Sequence, residues 1–236
     1  MELAKNVLIP FEFNNVQSIV DKSIEELKNN PINQPLSREF LLNYIEESKT
    51  ISEHDIQNIW VKLLVQEASE KDSVSKRTLD IIKNLKPSEA HLFEKVASYS
   101  DKKGIISKVF EDKFTFIEIS LLQDIGLIKS NDMLSNNFTI SSNKKQFICD
   151  NNDYILFLEN HSSKEEKYTM SCYMLTTEGL EIKKALNIFI SNENIIELGK
   201  RIKTTQKNKN LNCLLYKIYS RTNFDIHYDD SKNFLE

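Results

Sequence analysis

The chain has 236 residues and a formal net charge of −4, with 40% hydrophobic and 28% charged residues. That is the ordinary globular range, long enough for one large domain or two small ones. Only four Gly and four Pro are present, which favours long helices over a many-turned sandwich, and no apolar run approaches the ~18 residues of a membrane span.

The N-terminal "MELAKNVLIPFEFNN" has a short apolar piece broken by Pro10 and Glu12. It lacks the apolar core and small-residue cleavage site of a signal peptide, so the expected location is cytoplasmic. A first helix is predicted over Val16 to Lys28, with Val16, Ile19, Val20, Ile24 and Leu27 on one face. "NNPINQP" ends it. A second helix follows Ser37, with Phe40, Leu41, Tyr44 and Ile45 as its stripe.

Ser52 is the expected cap of the third helix, with Asp55 in its first turn and Ile51 stapled to Ile56. Ile56, Ile59, Trp60, Leu63 and Leu64 carry its apolar face to about Glu70. A fourth helix starts near Ser75 and carries Leu79, Ile82 and Leu85. Pro87 opens a fifth, with Glu89 at its positive end and Ala90, Phe93, Val96 and Ala97 facing the core.

The pattern changes after Gly104. Thr115 and Glu118 form a capping box, and Gly126 suits a left-handed stop with Leu127 folding back on Leu122. Strand-like pieces follow: "FTI", "KQFIC", "YILFLEN" and "YTMSCYML". The last two flank the polar "HSSKEEK" and read as a hairpin. "TTEGLEIKKALNIFI" returns to helix, another helix covers Asn194 to Lys203, and "LNCLLYKIYS" is a strand expected to add to the same sheet.

The expected fold is therefore mainly α with a small antiparallel β-sheet, in the α+β class. A helical N-terminal region spans residues 1–86. A winged-helix-like module covers 87–190, and residues 191–236 add a helix, a basic link and a strand.

The residues exclude several chemistries. There is no G-x-S-x-G elbow, no Gly-rich phosphate loop, and no His or Cys spacing that reads as a metal site. Cys149, Cys172 and Cys213 read as small buried hydrophobes. "FDIHYDD", with Asp225, His227, Asp229 and Asp230, is the nearest approach to a metal cluster and reads as a solvated tail. No catalytic residue, metal or cofactor is assigned.

Two groups remain as candidate sites. Glu67, Ser75 and Arg77 bracket the junction of the third and fourth helices. They form either a polar partner-binding site or a structural corner in which Ser75 caps and Arg77 pairs with Glu67. Lys200, Arg201, Lys203, Lys207, Lys209, Lys217 and Arg221 form a segment with seven basic residues and no acid. That segment is the candidate nucleic-acid surface. The helix from Thr115 to Ile125, the recognition helix of a winged helix, carries Glu118 and Asp124 and no base, which favours a protein partner or a second copy over nucleic acid.

The pattern Trp60, Leu64, Glu67, then Ser75-Lys76-Arg77-Thr78-Leu79, Leu85 and Ala90 to Phe93 resembles a bacterial family catalogued as domain of unknown function 2806. "FLLNYIEESKTISEHDIQNIW" upstream and "YMLTTEGLEI", Tyr173 to Ile182, also resemble it, so the likeness is placed over about residues 37 to 190. The family pattern has Ala-Gly and Pro-Gly where this chain has Val65-Gln66 and Lys71-Asp72, so the turn between the two helices is expected to differ in shape. A looser likeness links the chain to abortive-infection proteins of the alpha type. The resemblance implies a fold and no agreed activity. The expected function is a non-catalytic interaction or regulatory module, with a winged-helix DNA-binding regulator as the alternative.

Overall fold

Trp60 has no exposed surface, and the helix that carries it organises the N-terminal half. The computed structural model describes residues 2–28, 35–129, 133–222 and 225–235. The described chain is α+β: five helices, then strands of two small antiparallel sheets interleaved with further helices. Its helices are α1 (Glu2–Leu27), α2 (Arg38–Ser48), α3 (His54–Ser69), α4 (Lys76–Lys83), α5 (Pro87–Ala97), α6 (Phe116–Ile125), α7 (Thr177–Ala185) and α8 (Asn192–Thr205). A 3-10 turn covers Lys108–Lys113. The strands are β1 (Ile105–Ser107), β2 (Ser135–Ile140), β3 (Lys145–Asp150), β4 (Tyr154–Asn160), β5 (Glu166–Met174), β6 (Leu211–Arg221) and β7 (Ile226–Asp229). No helix among the described residues is long and apolar enough to cross a membrane.

The chain divides into two compact units. The first holds Met1–Glu94, Leu121–Leu127 and Thr176–Ile188. Here α3 packs against α1 and α7. That is why it buries Val61, Gln66, Glu67 and Ala68 beyond the single predicted stripe. The Tyr44 hydroxyl donates to the Trp60 carbonyl at 2.7 Å, and the two rings meet edge-on at 5.0 Å. Burial pushes the Tyr44 phenol well above its ordinary range, against a smaller opposing effect of Ser23. The first helix starts earlier than the predicted Val16 and runs through Pro10, at the expense of one backbone hydrogen bond. The cap of α3 is Glu53, with no side-chain cap bond, and not Ser52. Gln57 secures that corner instead: its amide donates to the Ile51 carbonyl at 2.9 Å and accepts from Ser18 and Lys22.

Two helix ends in this unit follow one physical rule. At the end of α6, Gly126 takes φ +89°, Leu127 N donates to the Leu122 carbonyl at 2.9 Å, and Gly126 N donates to Gln123. This is the predicted Schellman stop. At the end of α7, Asn187 takes φ 52° and Ile188 N donates to the Lys183 carbonyl at 3.0 Å. The helix predicted to continue to Ile190 therefore ends at Ala185, because Asn tolerates the left-handed conformation that usually marks Gly.

The second unit holds Lys95–Ser120, Ile128–Leu175 and Phe189–Glu236. At the start of α6 the capping box forms as read: Glu118 N donates to Thr115 Oγ1 at 3.2 Å, and Thr115 N to Glu118 Oε2 at 2.7 Å. The strands order as β1-β5-β2 and β3-β4-β6-β7. The expected hairpin of residues 154–160 with 168–175 is not formed, so the pairing on which the wing rested is absent. Instead β4 pairs with β3 and β6, while β5 pairs with β1 and β2. The antiparallel register of β2 with β5 carries on, nearly unbroken, into that of β3 with β4. These four strands are the arms of one long hairpin that kinks halfway. Its tip is Asn151 to Asp153, where Asn151 Oδ1 accepts from Asp153 N and Tyr154 N. The polar "HSSKEEK" is the kink. Asn160, fully buried, holds it by donating to the carbonyls of Ile140, Ser141 and Lys164.

Strand β6 pairs with β4, in a sheet that lacks β5 and is not the expected wing. One face of that sheet, with Leu156, Leu158, Cys213 and Leu215 in its interior, packs on α8, which buries Ile195, Leu198 and Ile202. Gly199 permits the approach: a Cβ there would lie 2.9 Å from Leu156 and Leu235 methyls. The opposite face gathers Ile155, Phe157, Leu214, Tyr216 and Ile218, with Ile226 and Tyr228 against them.

Candidate functional site

The α3–α4 junction, in the first unit, is built from one buried carboxylate. Glu67 sits on the last turn of α3 and is 4% exposed. It accepts from Asp72 N and Val74 N, both at 2.9 Å, and from Ser73 Oγ at 3.3 Å. Asp72 takes φ 59°, a conformation that costs a non-glycine residue strain. It occupies the position where the family pattern described above has Gly, so the turn keeps a glycine-like backbone there with aspartate in place.

Ser75 caps α4, its hydroxyl accepting from Thr78 N at 3.2 Å. A residue that sequence reasoning missed completes this end. Glu181 of α7 accepts from Ser75 N at 2.7 Å and from Thr78 Oγ1 at 2.5 Å. A carboxylate against the N-terminal amides of α4 also opposes the helix dipole favourably. Arg77 does not pair with Glu67, because Glu67 is turned inward to the backbone of the loop. Arg77 lies on the surface, its side chain 85% exposed, with Nε 3.3 Å from Glu178 Oε1. Of the three predicted residues, Glu67 and Ser75 hold the corner together and Arg77 points its charge at α7.

The basic segment of the second unit divides into engaged and open residues. Arg201 is clamped by Asp112 and by Glu197, and also donates to the Val109 carbonyl at 2.6 Å. The Arg201 guanidinium holds the carboxyl of Asp112 below the usual range. Glu197 is held down chiefly by Lys113, at 3.0 Å. Arg221 is tied to Asp150 and to the Asn151 carbonyl. Lys203 reaches the Leu235 carbonyl at 3.4 Å. Lys200, Lys207, Lys209 and Lys217 are exposed, and none is in an ion pair among the described residues. The structure therefore does not gather the seven into one basic face: both arginines serve internal carboxylates.

The chain-end cluster has ordinary roles. His227 stacks on Tyr219 at 6.0 Å, and Asp229 accepts from Ser231. No group of three or more His, Cys, Asp or Glu among the described residues is placed to hold a metal ion. All three cysteines are buried and free.

Exposed apolar side chains stand out on three helices: α1 carries Phe11, Phe13 and Ile24, and α2 and α6 carry the others. In the first unit α2 buries Phe40, Tyr44 and Ser48 and turns Leu41, Leu42 and Ile45 outward, Leu42 being 60% exposed. Leu41 and Ile45 were read as core and lie outside it. Asn15 of α1 donates to the Lys49 carbonyl at 3.0 Å, pinning the end of α2. Phe11, exposed, lies one turn before Asn15, and Ile45 one turn before Lys49. In the second unit α6 begins with exposed Phe116 and Ile117.

Residues 11–107 match the model of a family described as a protein of unknown function (DUF2806). That segment is similar to the family. No curated protein and no solved structure matches the chain. The DUF2806 match begins earlier than the expected residue 37, within α1, and ends at β1. "YMLTTEGLEI" lies outside it. Trp60, Glu67, Ser75 and the exposed face of α2 all fall within the DUF2806 segment.

Proposed function

We propose that the chain is a non-catalytic interaction module whose DUF2806 segment binds a protein partner or a second copy through the outward face of α2. The observation that carries this is the exposure of Leu41, Leu42 and Ile45 on a helix whose other side is already buried. Covering a half-exposed Leu or Ile contributes about 1–2 kcal/mol, so three neighbouring residues form a credible anchor. Contiguous exposed apolar side chains are what such contacts use. The polar junction beside them supports the reading in a second way. The polar groups of Glu67, Ser75 and Thr78 are engaged with their own chain, so the junction shapes the unit and leaves recognition to the apolar face. A setting in bacterial defence or on a mobile element belongs to the same proposal and comes from the looser abortive-infection likeness.

The test is a double substitution, Leu42→Lys with Ile45→Lys. Light scattering on a sizing column reads self-association, and co-purification from the host reads a partner. A fixed-stoichiometry complex that the double variant loses, with its unfolding midpoint unchanged, supports the proposal. A complex retained by the variant, or hydrolytic turnover by the pure protein, defeats it.

A further inference from the structure

Three turns far apart in sequence meet in the second unit. His161 N donates to the Asn210 carbonyl at 2.9 Å, and Ser142 Oγ to the Ser162 carbonyl at 2.8 Å. Asn160 N donates to the Lys144 carbonyl at 3.0 Å. Asn208 and Asn210 both donate to Glu166, at 2.7 and 2.6 Å. Residues 141–145, 159–167 and 206–210 therefore form one surface, fixed by the buried Asn160.

This surface carries Lys144, Lys164, Lys167, Lys207 and Lys209. All five are exposed, and among the described residues none is in an ion pair. Lys145 beside them is turned onto the Tyr216 ring, its amine 3.2 Å from the hydroxyl. The acids here are Glu159, Glu165 and Glu166. Glu159 meets His161 at 3.2 Å, and Glu166 is taken by the two asparagines. Six lysines against three glutamates leave the three segments at +3 in a chain of net charge −4.

We propose that this three-turn surface binds the phosphate backbone of a nucleic acid without regard to sequence. Lysine is a compact point charge suited to phosphates. The bidentate readers of base edges are missing from this surface, since Arg201 and Arg221 are occupied by Asp112, Glu197 and Asp150. The neighbouring Ser163 hydroxyl and the second side-chain amide hydrogen of Asn143 add donors of the kind that contact phosphate and sugar. The polyanion surface is thus not the linear run from Lys200 to Arg221. It takes two residues from that run, two from the kink of the long hairpin, and Lys144 from the turn hydrogen-bonded to that kink.

The test uses the full chain and a fluorescein-labelled 20-base-pair duplex of mixed sequence, read by anisotropy. Binding that weakens with a log–log salt slope of up to about −4.5, the most five lysines supply, is expected. Lys164→Ala/Lys207→Ala/Lys209→Ala should weaken binding at least ten-fold and flatten the slope to about −2. The circular dichroism spectrum should not change. A second duplex of different sequence should bind within two-fold. No binding at 50 mM salt overturns the proposal, as does binding that the triple variant leaves intact. A 20-residue polyglutamate that binds as tightly as the duplex also overturns it and assigns the surface to an acidic protein. Leu42→Lys/Ile45→Lys does not touch these residues, so this proposal and the apolar-face reading fail separately.

Discussion

Replacing Glu67 by alanine removes three acceptor interactions at once, and they are unequal. Asp72 is exposed, so water takes over its amide, and Ser73 can rotate. Val74 is 6% exposed, and its N–H is left without a partner. A hydrogen bond to a charged group contributes about 1.5–3 kcal/mol net, and a stranded buried donor costs about 1–3 kcal/mol. Together with release of the strained Asp72 turn, the expected loss is about 3 kcal/mol. For a chain of this length that lowers the unfolding midpoint by about 6–12 °C. Trp60 is the single tryptophan and is buried seven residues before Glu67 on the same helix, so its fluorescence during urea unfolding reports the unit directly. Glu67→Gln keeps one acceptor oxygen and should lose less. Glu70→Ala, on an exposed side chain facing Lys184, should lose under about 0.5 kcal/mol. A Glu67→Ala loss below 1 kcal/mol, or one equal to that of Glu70→Ala, refutes the view that this carboxylate builds the turn.

Other consequences are equally concrete. The carboxyl of Glu118 is held below its usual range, first by Lys95 and then by the Thr115 amide. A depressed folded-state value contributes stability above the ordinary glutamate range and loses it as pH falls through the depressed one. Acid titration should therefore destabilise the wild type more steeply than Glu118→Gln over that window. Burial pushes the Cys213 thiol up to about 12 and raises Cys149 and Cys172 as well. A disulfide thiol reagent at pH 8 should find no reactive cysteine in the native protein and three after unfolding. Gly199→Val forces side-chain atoms into Leu156 and Leu235 and should destabilise by about 1–3 kcal/mol in calorimetry. Thr176 caps α7 through Gly179 N at 3.0 Å, so Thr176→Ala should lose about 1 kcal/mol.

The elements that were legible in the sequence are those decided by a few neighbouring residues. Ser75, Pro87, the Thr115–Glu118 box and the Gly126 stop each act within one helical turn, and each stands where the pattern put it. Asn187 ended α7 early because left-handed asparagine leaves a weaker signal than glycine. The positions of β3, β4, β5 and β6 were readable, but β1 and β7 were not foreseen, β2 begins three residues before "FTI", "FDIHYDD" is partly strand rather than solvated tail, and the partners of the strands were not legible. The continuous apolar run of β4 and the alternation in β5 suit any antiparallel neighbour, and the choice between a tip and a kink at residues 161–167 depends on Asn160 reaching three carbonyls. The candidate corner was half visible for the same reason. Glu67 acts across seven residues, whereas Glu181 reaches Ser75 across 106, and no local pattern announces such a bond. The exposed face of α2 was misread as core because its Leu and Ile follow helical spacing equally well when the stripe points outward.

The claim that the outward face of α2 makes the protein's contact is tested most directly by site-specific photo-cross-linking in the host. A photoreactive phenylalanine analogue is placed at position 42, at position 45 and, for comparison, at exposed Arg77. The account predicts one discrete adduct from positions 42 and 45, with a single protein or a second copy of this chain, and none from position 77. No discrete adduct from either α2 position, or the same adduct from Arg77, would contradict it.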